Sequence, residues 1–126
     1  MDWIKSDKPI FNWVPTLIWI AVISLFSTLP LEPQFPLTVG YFDKLAHFFE
    51  YTILSILISR AFYRQNRNCV YRSLLFTLIL SGGYGIVMEL IQLYVPGREA
   101  SSIDVIFNFI GALTGVILSK VVLWQK

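Results

Sequence analysis

The strongest constraint on the fold of this 126-residue chain is a series of four long apolar segments. They lie at about residues 13–29, 45–63, 74–95 and 103–124, and prolines, glycines and charged residues separate them. A helix needs roughly 17–25 apolar residues to cross the hydrocarbon core of a membrane, and each segment reaches that length. Because backbone polar groups in lipid must be satisfied internally, we predict an all-α, integral membrane four-helix bundle.

The composition supports a single membrane domain. The chain is 56% hydrophobic and 14% charged, whereas a soluble domain has roughly 45–50% apolar and 25% charged residues. Its length fits one domain, which we place at residues 1–126. The alternative for the first segment is a signal peptide, but the run Ser27-Thr28-Leu29-Pro30 is a poor cleavage site. We therefore expect this segment to be retained as a span.

The basic residues predict the orientation of the bundle. Lys44 and Arg98 lie on one side of a four-span topology, and the other eight lie opposite. Because positive loops mark the cytoplasmic side, we expect both termini and the 60–73 link to be cytoplasmic, and the 30–44 and 96–102 loops to face outward. The net charge of +2 is too small to indicate a nucleic-acid partner. The eight are Lys5, Lys8, Arg60, Arg64, Arg67, Arg72, Lys120 and Lys126.

Polar side chains in three of the segments share one helical face each, at 3.6 residues per turn. The polar members lie toward the predicted outward ends, and glycines lie deeper, where small residues let helices approach closely. An ionisable group inside a span indicates function by default, so we predict an outward-facing polar pocket over a tightly packed base. The predicted binding residues are Asp43, His47, Glu89, Gln92, Arg98, Asp104 and Asn108, and the predicted packing glycines are Gly82, Gly85, Gly111 and Gly115.

Each of these residues also has a structural alternative. Asp43 would serve as the N-cap of the second helix, and Asp104 would close a capping box at the start of the fourth. His47 would be a buried structural histidine. Glu89 lies at the wrong end of its helix for capping, so its alternative is an ion pair with Arg98 or His47.

The order and spacing of these residues resemble the VanZ-like family of small bacterial multi-pass membrane proteins. The resemblance covers about residues 41–120, and Glu50 is not among the matching positions. It implies a cell-envelope protein of the bacterial cytoplasmic (inner) membrane, acting at the outer leaflet, in a family named after a teicoplanin-resistance protein. It implies no particular reaction. The matching pieces are Asp43-Lys44-x-x-His47 with Tyr51, Glu89-x-x-Gln92, Pro96-Gly97-Arg98, and Asp104-x-x-x-Asn108-x-x-Gly111-x-x-x-Gly115.

The first functional hypothesis is a binding role. The pocket would hold the headgroup of a membrane lipid or a lipid-linked cell-wall precursor, with Arg98 on its phosphate or carboxylate. Gln92 and Asn108 would add neutral hydrogen bonds, and the carboxylates of the third and fourth segments would orient Arg98 and His47.

The second hypothesis is an intramembrane hydrolase or transferase. His47 would be the general acid or base, oriented by Asp43 or Glu89. Apart from Ser101 and Ser102, no serine or cysteine stands at the polar faces as a nucleophile, so we expect no covalent intermediate. The third hypothesis is purely structural: the charges would hold the helices together in a partner subunit of an envelope complex.

A metal site is a further alternative. His47 together with Asp43, Glu89 and Asp104 offers ligand atoms that suit divalent ions. One histidine and the lack of a fixed ligand spacing do not single out such a site in the sequence. We therefore predict no metal and no cofactor at this stage.

Overall fold

Four α-helices form the bundle in a computed structural model of the chain, which describes residues 9–29, 39–98 and 100–124. Each helix is long and apolar enough to cross a membrane, and the described residues contain no strand. The predicted all-α membrane bundle of four helices is confirmed. The helices are α1 at Pro9–Thr28, α2 at Val39–Gln65, α3 at Val70–Gln92 and α4 at Ser102–Leu123.

Local chemistry accounts for the helix ends. α1 is described from Pro9 onward, and the fixed φ of proline is compatible with the first turn of a helix. α3 ends at Gln92, and the chain then turns through Gly97, whose φ of 78° is a left-handed conformation that favours glycine. α4 begins after Ser101, whose side-chain oxygen accepts a first-turn backbone N–H at 3.2 Å.

α2 and α3 form the centre of the bundle. Both contact every other helix, whereas α1 and α4 do not contact each other in the described part of the chain. Trp13 near the start of α1 packs edge-on against Phe62 near the end of α2, with ring centroids 5.1 Å apart. Trp124 after α4 packs against Tyr63 at 5.0 Å. Consecutive helices are therefore antiparallel, so the beginnings of α2 and α4 lie level with the end of α3. We call this side of the bundle the polar end.

The bundle is apolar outside and contains small polar side chains inside. Ser55, Ser59, Thr77 and Ser81 are fully buried, and the hydroxyls of Thr77 and Ser81 donate to carbonyls one turn back at 2.8 and 2.7 Å. Small residues of this kind let helices pack closely when lipid covers their outer faces. The exposed apolar residues include Leu17, Ile18 and Leu25 of α1, Ile79, Ile86 and Val87 of α3, and Ile106, Ile110 and Ile117 of α4.

Two glycines bring α4 directly onto the backbone of α2. A Cβ atom at Gly111 would meet the carbonyl oxygen of Phe48, and one at Gly115 would meet the carbonyl oxygen of Thr52. The Thr52 hydroxyl also donates to the carbonyl oxygen of Gly111 at 3.1 Å. This close contact holds the middle of α2 against the middle of α4. On α3, Gly82 lies against the ring of Phe109, and Gly85 lies against Tyr51 and Asn108.

Positive charge is divided unevenly between the two ends of the bundle. The polar end holds Lys44 and Arg98. The opposite end holds five described basic residues: Arg60, Arg64, Arg67, Arg72 and Lys120. The other residues used in the charge count, Lys5, Lys8 and Lys126, lie outside the described residues, as does the 30–38 part of the predicted outward loop.

Candidate functional site

The polar faces of α2, α3 and α4 meet at the polar end. His47 lies on α2, Glu89 in the last turn of α3 and Asp104 in the first turn of α4, and their exposed fractions are 5%, 4% and 4%. Antiparallel packing puts the beginnings of α2 and α4 level with the end of α3. Three polar residues that are distant in the sequence thus share one buried site.

The centre of the site is the imidazole of His47. Its Nε2 atom lies 3.7 Å from Oδ2 of Asp43, 3.8 Å from Oε1 of Glu89 and 3.9 Å from Oδ2 of Asp104. The ammonium nitrogen of Lys44 lies 3.5 Å from Oδ1 of Asp104. Ligand-type atoms of Asp43, His47 and Asp104 all lie within 4.8 Å of one another, a spacing that a metal ion can bridge. We call Asp43, His47, Glu89 and Asp104 the acidic cluster.

The capping alternatives do not account for the two aspartates. α2 begins at Val39, so Asp43 lies inside the helix rather than at its N-cap. Asp104 contacts His47 and Lys44 instead of reaching back to the start of α4. Glu89 of α3 takes that place, because its Oε2 accepts the backbone N–H of Ser101 at 3.2 Å.

Arg98 and Gln92 bind the end of α1. The guanidinium of Arg98 donates to the carbonyl oxygens of Leu29 at 2.8 Å and of Phe26 at 2.7 Å. The amide of Gln92 donates to the carbonyl oxygen of Ser27 at 3.3 Å. Helix C-terminal carbonyls lack intrahelical donors, so these bonds satisfy groups that would otherwise be unpaired. The expected ion pair of Glu89 with Arg98 is not among the ion pairs of the described residues, whereas the contact of Glu89 with His47 is.

Asn108 lies deeper than the acidic cluster. Its side chain is 1% exposed, and neither of its amide atoms has a hydrogen-bond partner within the described ranges. It packs beside Gly85 and does not line the cavity at the polar end. An unpaired buried amide is unfavourable by roughly 1–3 kcal/mol.

A polar pocket of about 190 Å³ opens between α1, α2 and the turn after α3. Its polar wall is formed by the side chains of His47 and Arg98 together with two carboxylates and one amide. Of the predicted binding residues, Glu89, Asp104 and Asn108 do not line the pocket. The lining residues are Phe26, Ser27, Asp43, Ala46, His47, Glu50, Gln92 and Arg98.

An apolar groove of about 290 Å³ runs along the same side of the bundle. It lies between α1 and the α2–α3 pair, as the polar pocket does, but nearer the middle of the helices. Tyr84 lines the groove, and its hydroxyl contacts the Ser24 hydroxyl at 2.6 Å. The residues lining the groove are Trp13, Thr16, Leu17, Ile20, Leu54, Ile58, Leu80 and Tyr84.

Two charged residues of the site were not among the predicted binding residues. Lys44 pairs with Asp104. The sequence could have indicated Lys44, because it lies on the side of the topology that is otherwise poor in basic residues. Glu50 lines the polar pocket. The sequence could have indicated Glu50, because it follows His47 by three residues and so lies on the same helical face.

The fold and the site define a multi-pass membrane protein with ionisable groups buried between its helices. The chain belongs to the VanZ/LLP1 family, whose model matches residues 2–123. The resemblance found in residues 41–120 is thereby confirmed and extends to nearly the whole chain. Neither the curated proteins nor the solved structures contain a match.

Proposed function

We propose that this protein is a cell-envelope component that binds one envelope lipid or lipid-linked cell-wall intermediate. The headgroup would occupy the polar pocket, and an acyl chain would lie in the apolar groove. In this proposal residues 1–126 act as a single VanZ-like membrane domain. The observation that carries the proposal is that both cavities lie between α1 and the α2–α3 pair, one polar and one apolar.

An amphipathic ligand fits this arrangement because its two parts need different surroundings. The groove is lined almost entirely by apolar side chains and offers a dry surface to a hydrocarbon chain. The polar pocket offers the guanidinium of Arg98, which has five N–H donors. Its bonds to Leu29 and Phe26 use two of its nitrogens, and the remaining N–H groups are available to a phosphate or carboxylate.

We further propose that the polar end faces outward from a bacterial cytoplasmic membrane. The excess of described Arg and Lys residues at the opposite end supports this orientation, because basic residues favour the cytoplasmic side. The pocket would then meet lipids of the outer leaflet. Since the family is named after a teicoplanin-resistance protein, we propose the teicoplanin susceptibility of a strain lacking this chain as the whole-cell readout.

A second candidate function is catalytic. His47 lines the polar pocket and also lies 3.7 Å from Asp43 and 3.8 Å from Glu89. A histidine beside carboxylates and open to a ligand can act as a general acid or base. The protein would then hydrolyse or transfer a group of the lipid that it binds.

Native mass spectrometry of the full chain, released gently from its membrane, tests the binding proposal. We expect one lipid of defined mass per chain. Leu80→Trp puts a large ring into the apolar groove. From the fraction of chains that retain lipid, we expect this variant to bind the lipid about tenfold more weakly than the parent, or by about 1.4 kcal/mol. Ile79→Trp, at the neighbouring lipid-facing position of α3, is the matched control and should retain the lipid.

Three results would separate the candidates. Equal lipid retention by Leu80→Trp and Ile79→Trp, or no lipid on the parent protein, would contradict the binding proposal. If the identified lipid is converted by the parent and not by His47→Gln, while both bind it, the protein is an enzyme. If no lipid is bound and partner proteins copurify, the structural role is correct.

A further inference from the structure

The acidic cluster contains more hydrogen-bond acceptors than its histidine can satisfy. Nε2 of His47 carries at most one hydrogen, yet three carboxylate oxygens face it at 3.7, 3.8 and 3.9 Å. An N–H···O hydrogen bond usually spans about 2.7–3.2 Å. The three contacts are therefore too long for hydrogen bonds, and they leave room for another partner between the atoms.

One buried carboxylate also has an atom without a partner. Oε1 of Glu89 accepts no hydrogen bond from the described residues, although its side chain is at least nine-tenths buried. Oε1 of Glu89 points at the centre of the cluster, where it lies 3.8 Å from Nε2 of His47. A buried carboxylate is strongly unfavourable unless it is paired or coordinates a metal.

The charges of the cluster do not balance. Asp43, Glu89 and Asp104 contribute three carboxylates, and the neighbouring cation is Lys44. Arg98 binds the carbonyl oxygens at the end of α1 and is absent from the ion pairs of this group. A divalent cation would neutralise the excess negative charge.

The spacing fits metal coordination. Nε2 of His47 lies 3.7 and 3.9 Å from the carboxylates of Asp43 and Asp104, and ligand-type atoms of the three residues all lie within 4.8 Å of one another. Two ligands of one Zn²⁺, each bound at about 2.0–2.2 Å, lie at most about 4.4 Å apart, so the three side chains need to move only slightly to bind one ion. One imidazole with several carboxylates suits first-row divalent metals such as Mn²⁺ and Zn²⁺. Asp43 and His47 also line the polar pocket, which gives an ion an entry path and an open coordination position.

From these observations we propose that Asp43, His47 and Asp104 bind a divalent cation of the Mn²⁺ or Zn²⁺ class at the base of the polar pocket. The ion would join α2 to α4, and Oε1 of Glu89 on α3 faces the same imidazole beside it. Metal binding does not depend on the lipid proposal, because it requires only these ligands. An ion there would also attract phosphate oxygens, and only this last point rests on the proposed function.

Equilibrium dialysis of the metal-stripped full chain in detergent tests the site. We expect one Mn²⁺ or Zn²⁺ per chain by elemental analysis, with little response to Ca²⁺. At saturating metal, the melting temperature followed by tryptophan fluorescence should rise by about 5 °C or more. Asp104→Asn keeps the side-chain shape but loses a ligand charge, and we expect at least about tenfold weaker binding and no metal-induced shift.

Glu50→Gln is the matched charge control. It removes a carboxylate one turn along α2 from His47, but this carboxylate is not among those within 4.0 Å of the imidazole. The number of metal ions bound by Glu50→Gln should therefore equal that of the parent.

Metal-free Asp104→Asn should melt no lower than the metal-free parent, because one repulsive charge is gone. The proposal is overturned if the parent binds no ion or if Asp104→Asn binds as well as Glu50→Gln. It is also overturned if Asp104→Asn melts lower without metal while the parent does not respond to metal, since the cluster is then an ion-pair clip.

Discussion

Arg98 illustrates how one side chain joins segments that are distant in the sequence. Its guanidinium donates to Phe26 in the last turn of α1 and to Leu29 just after it. A positive charge at a helix C-terminus is also favoured by the helix dipole. The sequence identified Arg98 as unusual through its position on the side poor in basic residues, but it did not identify α1 as its neighbour.

We expect Arg98→Gln to destabilise the ligand-free protein. The substitution removes charge-assisted hydrogen bonds, and the free energy of unfolding should fall by about 1–3 kcal/mol. Arg72→Gln is the control, because Arg72 is exposed at the opposite end of the bundle. Denaturant titration in detergent, followed by tryptophan fluorescence, measures both. An unchanged stability for Arg98→Gln would mean that Arg98 serves a ligand and not the attachment of α1.

The partners of Glu89 could not be predicted from its position in the sequence alone. The sequence excluded it as a cap of its own helix and offered an ion pair with Arg98 or His47 as the alternative. In the structure Glu89 lies near His47 and also accepts the N–H of Ser101, so it caps the start of α4 from α3. This bond depends on how two helices are rotated, which a sequence pattern does not contain.

At the scale of the element, the closest contact is the α2–α4 interface. We expect Gly111→Ala to lower the free energy of unfolding by about 1–3 kcal/mol, because the added Cβ would meet the carbonyl oxygen of Phe48 and push the helices apart. Gly83→Ala is the matched control, since nothing lies within 4 Å of its added Cβ.

The control should move in the opposite direction. Alanine in a helix interior is favoured over glycine by about 0.5–1 kcal/mol, so Gly83→Ala should be neutral or stabilising. Thermal and denaturant unfolding in the same detergent compare the two variants. If Gly111→Ala is as stable as Gly83→Ala, α2 and α4 do not pack backbone to backbone.

At the scale of the whole molecule, the charge distribution makes the orientation testable. Cys69 lies in the link between α2 and α3, at the end opposite the polar end. We expect a membrane-impermeant maleimide to label it only after cells are lysed, because basic loops remain cytoplasmic. In a Cys69→Ser background, Pro96→Cys at the exposed turn after α3 should be labelled on intact cells.

The reverse labelling pattern would contradict the proposed orientation and place the polar pocket on the cytoplasmic side. Labelling of neither position before lysis would require a test of expression at the cell surface, for which an outward cysteine in a known membrane protein of the same strain serves as the positive control.

The class of protein and the number of helices could be predicted from the amino-acid sequence. Four segments of spanning length leave helices as the solution in lipid, because each backbone group must find a partner within its own segment. The repeat of 3.6 residues also placed His47, Glu89 and Asp104 on polar faces. The folded bundle was needed to show that Glu89 and Asp104 both approach Nε2 of His47, that Arg98 binds α1, and that Asn108 lies outside the pocket. Those contacts depend on the rotation and spacing of neighbouring helices, which long-range packing sets and no local pattern encodes.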